Sequence, residues 1–313
     1  MNSSGYVIDR LVSVIGRKTR FLQPSFVQYG AQYKPRPLRF QGEAAGVPVG
    51  EGFPRISVVV PSLNQARFLP GAIESLLDQR YPELEVIVVD GGSQDGSREW
   101  IERFSRSLSW WCSEPDAGQT AALNKGFTRT TGEIMAWLNA DDRLAPASLE
   151  RVACYFVEHP EIDAVYGHRV LIDEEDREIG RWILPPHSNR VLSWADFIPQ
   201  ETLFWRRSLW QRAGGGLDDA FRFAMDWDLI LRFRRAGAKF VRLPFFLGLF
   251  RVHSGQKTMA EIEGTGFSEM QALRARCLGT APRQYQVAIA AIGYLLKARL
   301  VESMWKMGVI RYD

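Results

Sequence analysis

The chain has 313 residues, 46% hydrophobic and 24% charged, a globular composition long enough for one large core with extensions. A net charge of +3 falls short of the basic balance that marks a nucleic-acid-binding protein, so no nucleic-acid partner is expected. Cys112, Cys154 and Cys277 are scattered and lack CxxC spacing, which excludes a cysteine zinc site or a disulfide framework and fits a reducing compartment.

Residues 1–54 read as an N-terminal extension. Val7, Leu11, Val14 and Ile15 recur at helical spacing, and Arg17, Lys18 and Arg20 follow. This pattern suits a membrane-surface helix, or equally a helix packed on its own domain or on a partner subunit. Proline and glycine punctuate the stretch from Pro35 to Pro54, which is expected to be irregular. Asp9 and Arg10 precede the short apolar stretch near the start, so it lacks the pattern of a secretory leader. The longest apolar run, Val287 to Leu296, is about half the roughly 20 residues that span a bilayer. A cytoplasmic protein, at the inner face of the membrane if its ends dock there, is the expectation.

A domain is expected over residues 55–258. Its first part alternates strand and helix, an α/β pattern. Strands fit residues 56–60, 85–90, 110–113, 134–138 and 163–166; helices fit 66–79, 97–105, 120–129 and 147–158. The strands are continuously apolar, which implies a mostly parallel sheet covered by helices on both faces. Residues 167–255 read as less regular, with Pro185-Pro186 and Gly214-Gly215-Gly216 as breaks and a helix over 226–236. Residues 259–313 form a helical, amphipathic C-terminal tail with Leu295, Leu296, Leu300 and Trp305 among its apolar positions.

Three acidic turns follow strands of this sheet, and open α/β sheets bind ligands at such ends. Ile56-Ser-Val-Val-Val-Pro-Ser-Leu-Asn64 leads into a helix, and the next strand closes on Asp90 with Gly91-Gly92 behind it. A carboxylate beside exposed peptide N–H groups suits a nucleoside. Glu114-Pro-Asp-Ala-Gly-Gln-Thr-Ala-Ala-Leu-Asn-Lys-Gly126 turns at Asp116 and Gly118 into a helix whose N-terminus favours anions, with Lys125 either facing the ligand or solvated. Asn139-Ala-Asp-Asp142 sets two carboxylates side by side. They call for a counter-charge, such as a Mg2+ or Mn2+ ion that shares its ligands with substrate phosphates. The alternative for that turn is a helix cap, since Pro146 and Leu149 open a helix soon after. Three acidic turns on one sheet favour a site over three caps.

Taken in order, PSLNQARFL, VIVVDGGSQDGS, EPDAGQTAALNKG and WLNADD resemble the family 2 glycosyltransferases with the GT-A fold, over residues of about 56–255. The resemblance implies an inverting, metal-assisted hexosyltransferase. It would move a sugar from a nucleoside diphosphate sugar, a UDP-sugar in the first instance, to a hydroxyl of a glycan or lipid-linked oligosaccharide in polysaccharide biosynthesis. By position, Pro61, Ser62, Asn64, Asp90, Gly91, Asp116, Lys125, Asn139 and Ala140 would bind the donor nucleotide. Asp141, Asp142 and His253 would hold a divalent cation, Mn2+ or Mg2+. Asn139 departs from the family's Asp-x-Asp pattern and brings no charge.

The resemblance also places a general base at the start of a helix after a Gly-rich turn, where Phe223-Ala-Met-Asp-Trp-Asp228 stands. Asp226 is the expected base and Asp228 the second choice, with helix capping as the alternative for both. Pro199-Gln-Glu-Thr-Leu-Phe-Trp205 resembles the acceptor loop, so Gln200, Glu201 and Asp228 are the acceptor-side candidates. Trp205 is expected in the core, and Lys257 is a candidate for neutralising diphosphate. The two ends of the chain are candidate contacts for a membrane or a second copy. A dinucleotide-binding dehydrogenase is disfavoured because the first strand leads into Pro-Ser-Leu-Asn rather than G-x-G-x-x-G. The rival from another class is a catalytically silent nucleotide-sugar binder or assembly scaffold.

Overall fold

A computed structural model describes residues 31–40, 52–256 and 262–312. The helix expected near residues 7–15 and the candidate Lys257 lie outside the described residues.

The first half alternates as its pattern implies: β1 (Ile56–Ser62), α1 (Leu69–Leu77), β2 (Leu84–Asp90), α2 (Ser97–Phe104), β3 (Trp110–Ser113), α3 (Gln119–Phe127) and β4 (Ile134–Trp137). Successive strand side chains point to opposite faces, and here both faces are apolar. Val59, Ile87, Val89, Met135 and Trp137 enter one core cluster with α3, while Val58, Val60, Val86, Val88 and Ala136 enter another with α1. Burial on both faces is why these strands read as unbroken hydrophobic runs.

The second half continues with β5 (Arg143–Leu144), α4 (Ser148–Glu158), β6 (Ala164–Ile172), β7 (Glu178–Trp182), α5 (Asn189–Leu192), β8 (Phe204–Arg206) and α6 (Arg207–Arg212). It ends with α7 (Met225–Arg235), β9 (Phe240–Arg251), α8 (Phe267–Leu278) and α9 (Gln284–Lys306). Among the described residues nine strands form one sheet in the order β3-β2-β1-β4-β8-β6-β9-β5, with β7 on β6. Pairing is parallel across β3-β2-β1-β4, as expected. Beyond β4 the sheet is mixed: β8 is antiparallel to both β4 and β6, β9 is parallel to β6, and β5 and β7 are antiparallel.

The region expected to be less regular therefore contains a hairpin and the 12-residue strand β9. Pro244 disguises β9, because proline cannot donate to a ladder. The register with β6 slips between Tyr166 and His168, pairing Arg242 and then Phe246, so Pro244 falls in the irregular stretch. The tail is helical as expected, and Met270, Leu273 and Tyr294 join the main core cluster. Of the extension, residues 31–40 dock on β7. Gln32 N donates to Ile179 O at 2.8 Å, and buried Glu178 accepts from Arg36 at 2.6 Å, from Arg181 at 2.9 Å and from the Tyr33 hydroxyl.

Gly126 marks the closest approach of α3 to the sheet. A Cβ there would lie 2.4 Å from a Val59 methyl and 3.1 Å from a Val89 methyl, atoms of two strands packed on both faces. Gly126→Ala is expected to destabilise the fold by about 1–3 kcal/mol through overpacking, despite the better helix propensity of alanine. Urea unfolding followed by far-UV circular dichroism checks this; a more stable variant would show that α3 can retreat freely.

Candidate active site

A cavity of about 590 Å³ opens at the carboxyl ends of β1 and β4. Pro61 and Ser62 line it from β1, Asp116 from the turn before α3, and Asn139, Ala140, Asp141 and Asp142 from the turn after β4. Gln200 and Glu201 line it from the loop before β8, and Asp226 from the start of α7. The hydroxyl of Ser62 and the side-chain carbonyls of Gln200 and Gln256 are buried on this wall without a hydrogen-bond partner among the described residues. Buried polar atoms normally find partners, so this wall is built for a polar ligand.

The acidic turn is held by a chain of side chains. Gln119 donates to the Asn139 carbonyl at 2.8 Å, and the Asn139 amide donates to Asp142 Oδ2 at 3.3 Å. This accounts for the asparagine at a position where the family pattern has aspartate. A carboxylate could accept from Gln119 but could only repel Asp142, whereas the amide does both tasks. The other oxygen of Asp142 accepts the backbone N–H of Arg251 at 3.0 Å. Burial, followed by Asp141 and Glu201, pushes the Asp142 carboxyl well above the usual carboxylate range.

Asp141 instead presents its carboxylate to the imidazole of His253, with Oδ2 and Nε2 3.0 Å apart. β5 and β9 bring the two together by pairing Arg143 with Leu249. The Arg251 guanidinium then clamps the turn, donating to Asp141 O at 2.8 Å and Asp173 O at 2.9 Å, with an ion pair to Asp176 at 2.7 Å. Described residues include no cluster of three His, Cys, Asp or Glu side chains in metal-binding geometry. The Asp141 carboxylate suits Mg2+ or Mn2+, which draw their other ligands from phosphate and water, whereas the His253 imidazole beside it suits Mn2+ better than Mg2+.

The structure also separates the two aspartates of Asp-Trp-Asp. Successive helical residues turn by about 100°, so residues two apart face nearly opposite ways. Asp226 lines the cavity, whereas Asp228 is 1% exposed and ion-paired with Arg232 at 2.7 Å and Arg276 at 3.3 Å. Asp228 is therefore committed to two arginines and is off the cavity wall, unlike the acceptor-side place expected for it. The start of α7 is held by Trp227, whose indole N–H donates to Leu192 O at 3.0 Å, and by Glu269 of α8. Glu269 accepts the backbone N–H groups of Arg222, Phe223 and Ala224 at 2.8–2.9 Å.

Lys125, Asn64, Asp90 and Gly91 fall outside the cavity wall. Lys125 turns away and pairs with Glu114 at 2.8 Å. Asn64, in the left-handed region at φ 53°, ties the turn after β1 to the acidic turn after β2 by accepting from Gln94 N at 3.0 Å. Asp90 is fully buried and accepts from Gly92 N, Ser93 N, the Ser93 hydroxyl and the Ser113 hydroxyl at 2.5–3.2 Å, so its lone pairs serve the loop. Gly91 lets Asp116 approach: a Cβ there would meet the Asp116 carboxylate at 3.0 Å. Glu201 lines the cavity with its charge committed to a buried pair with Arg169, whose Nε lies 2.6 Å from it. Trp205 is fully buried, 5.7 Å from Trp137, as expected for core.

One cavity residue has no signal in the sequence: Asp196, two residues after Trp194 in an unpatterned loop. It touches the cavity yet is surrounded by protein on its other sides. Burial, followed by the nearby charge of Asp226, pushes its carboxyl well above the usual range.

Comparison with known proteins agrees with this geometry. The family model described as "Glycosyl transferase family 2" matches residues 57–216. A PGL/p-HBAD biosynthesis glycosyltransferase of Mycobacterium bovis is 32% identical over 183 residues, which cover 57% of this chain and 69% of that protein. An uncharacterized glycosyltransferase of Nostoc sp. is 35% identical over 128 residues, 40% of this chain but only 39% of that protein's length. Among solved structures, Staphylococcus aureus TarS in complex with UDP-GlcNAc superposes with a TM-score of 0.59 at 17% identity, covering 78% of this chain and 72% of that one. The Pyrobaculum calidifontis mannosyltransferase PcManGT, in complex with GDP-Man and Mn2+, gives 0.54 at 18% identity over 96% of this chain and 88% of that one. At those identities the likeness speaks for the fold alone, which is GT-A. The family match spans half the chain, and the relatives agree with it: the chain belongs to glycosyl transferase family 2.

Proposed function

We propose that this chain transfers a hexose from a nucleoside diphosphate sugar to a hydroxyl of a glycan or lipid-linked oligosaccharide, with inversion at the anomeric carbon. The observation that carries the reading is one cavity lined by Ser62, Asp116, Asp141 and Asp226 together. The relatives support a nucleotide-sugar donor, since TarS binds UDP-GlcNAc and PcManGT binds GDP-Man. A UDP-sugar is the donor put forward here.

Pro61, Ser62, Asp116 and Ala140 would form the nucleotide side, with the Ser62 hydroxyl ready to bond a base or ribose. Asp141 and His253 would hold a Mn2+ or Mg2+ ion, and Asp142 would support the turn behind them. When bound, the ion offsets the charge on the departing diphosphate. Asp226 would take the proton from the acceptor hydroxyl as it attacks. Burial, followed by the charge of Asp226, makes the Asp196 carboxyl hold its proton more readily than a free one. The Gln200 carbonyl is the acceptor-side group with unused hydrogen-bonding capacity.

The test is release of nucleoside diphosphate by purified protein given UDP- and GDP-sugars with Mn2+ or Mg2+. A silent binder or scaffold would release none. Asp226→Asn should keep donor affinity and lose about 10²–10⁴-fold in kcat. A variant as active as the wild type would remove the base. Product anomers read by NMR should be inverted, and retention would contradict the single displacement.

A second expectation concerns the ion. Asp141→Ala should abolish the Mn2+ dependence of turnover and weaken nucleoside diphosphate binding while the melting curve stays cooperative. Full wild-type activity in excess chelator would overturn the metal assignment.

A third follows from the raised carboxyl of Asp196. The folded state keeps a proton that the unfolded chain releases near pH 4, so stability falls as pH rises from the unfolded value toward the folded one. Asp196→Asn removes that loss. Its melting temperature should exceed the wild type's at pH 7, and the gain should vanish below about pH 4. Thermal melts across this range check the sign; a constant difference at every pH would show that Asp196 does not titrate differently in the fold.

A further inference from the structure

α9 is a two-faced helix. One face is buried: Ala291 and Tyr294 sit in the fold, and Tyr294 packs on Phe197 with ring centroids 4.5 Å apart. On the far side Tyr285, Ile289, Ile292, Leu296, Leu300 and Met307 are all exposed. From Tyr285 to Leu300 they are spaced by three or four residues, and Met307, at the C-cap, follows two turns later on the same side, a stripe about 33 Å long at 1.5 Å per residue. Ile289 is 67% exposed and Leu296 61%, values reached by large aliphatic side chains over which no described residue packs. Isolated exposed apolar residues are ordinary, but an unbroken row of five from Tyr285 to Leu300 marks a docking surface.

The charges choose the occupant. Over residues 283–312 the basic side chains are Arg283, Lys297, Arg299, Lys306 and Arg311, and the acidic one is Glu302, already paired with Lys306 at 2.5 Å. A second copy laid on this stripe by two-fold symmetry would bring the same cations together. An anionic lipid surface complements them. At 100° per residue Lys297 and Arg299 fall on either flank of the stripe, where long basic side chains reach headgroups while the apolar row enters the acyl boundary. Among the described residues no helix is long and apolar enough to cross a membrane, so α9 would lie in the interface plane.

We propose that the exposed face of α9 docks the protein on an anionic lipid bilayer. The inference stands apart from sugar transfer. Phe197, beneath Tyr294, lies between Asp196 and Ile198, both on the cavity wall. α9 is thus packed behind that part of the cavity wall, with its apolar stripe on the opposite side.

The experiment is co-sedimentation of the full chain with phosphatidylcholine vesicles, with and without phosphatidylglycerol, at low and high salt. The wild type is expected to bind the anionic vesicles at low salt and to lose at least about tenfold in apparent affinity at about 0.5 M salt. The variant Ile289→Ser, Ile292→Ser, Leu296→Ser, Leu300→Ser should bind at least about tenfold more weakly with an unchanged melting curve. Should that variant melt early, Lys297→Gln with Lys306→Gln supplies the second arm, with binding weakened and the salt dependence reduced. No binding by the wild type, equal binding to neutral vesicles, or full binding by both variants would overturn the proposal. So would a dimer in sedimentation velocity that the serine variant abolishes, which would assign the stripe to a second copy. Loss of vesicle binding leaves nucleotide release untouched, so this proposal and the catalytic reading fail separately.

Discussion

Arg251 is the interaction on which the site depends. Two adjacent carboxylates at the end of β4 would repel each other and drift apart without a partner. Arg251 closes β9 and reaches the Asp141 carbonyl, the Asp173 carbonyl and the Asp176 carboxylate, while its own N–H holds Asp142. Its guanidinium lies 4.7 Å from the ring centre of Phe68, and that ring is 4.8 Å from His253. One side chain thus gathers the end of β4, the β6–β7 hairpin, the start of α1 and the histidine. Arg251 is 2% exposed, so each of these bonds forms away from bulk water, where it is stronger and where its loss would be most costly.

A second buried charge pair lies under the cavity. Arg169 and Glu201 are almost completely buried, and the Arg169 guanidinium also sits 4.2 Å from the ring centre of Phe250. Burying two ions is expensive even when they are paired, and an apolar floor would often be as stable. A charged floor does what an apolar one cannot. It sets the local field at Asp142 and Asp196: Arg169 lowers both carboxyls, and Glu201 raises Asp142. Cavity chemistry and core stability are therefore written into the same residues.

The parts legible in sequence are those whose signal is local. β1, β2 and β4 are apolar on both faces and announce themselves, and the turns after β1 and β4 carry residues that line the cavity. Short strands such as β5 and β8 have no period to read; their partners define them. The link between Asp141 and His253 spans 112 positions and exists only because β5 pairs with β9. Lys125 and Asp228 show the other limit. Each lies on a helix adjoining the site, but which face of the helix meets the cavity is decided by packing. Asp196 and Glu269 had no motif to flag them, since an acid in a loop or on an exposed helix turn is ordinary until a neighbour gives it work.

Glu269 alters where the catalytic unit ends. The family match stops at residue 216 and the last strand at Arg251, which invites a boundary soon afterwards. Yet the carboxylate that secures the three peptide N–H groups ahead of Asp226 comes from α8, as does Met270 on the cavity wall. A chain cut after Gln256 would lose the carboxylate that holds the loop just ahead of Asp226. The tail is in this sense a splint for the cavity wall, and sequence drift in α8 would be felt in the placing of Asp226 before it was felt in the sheet.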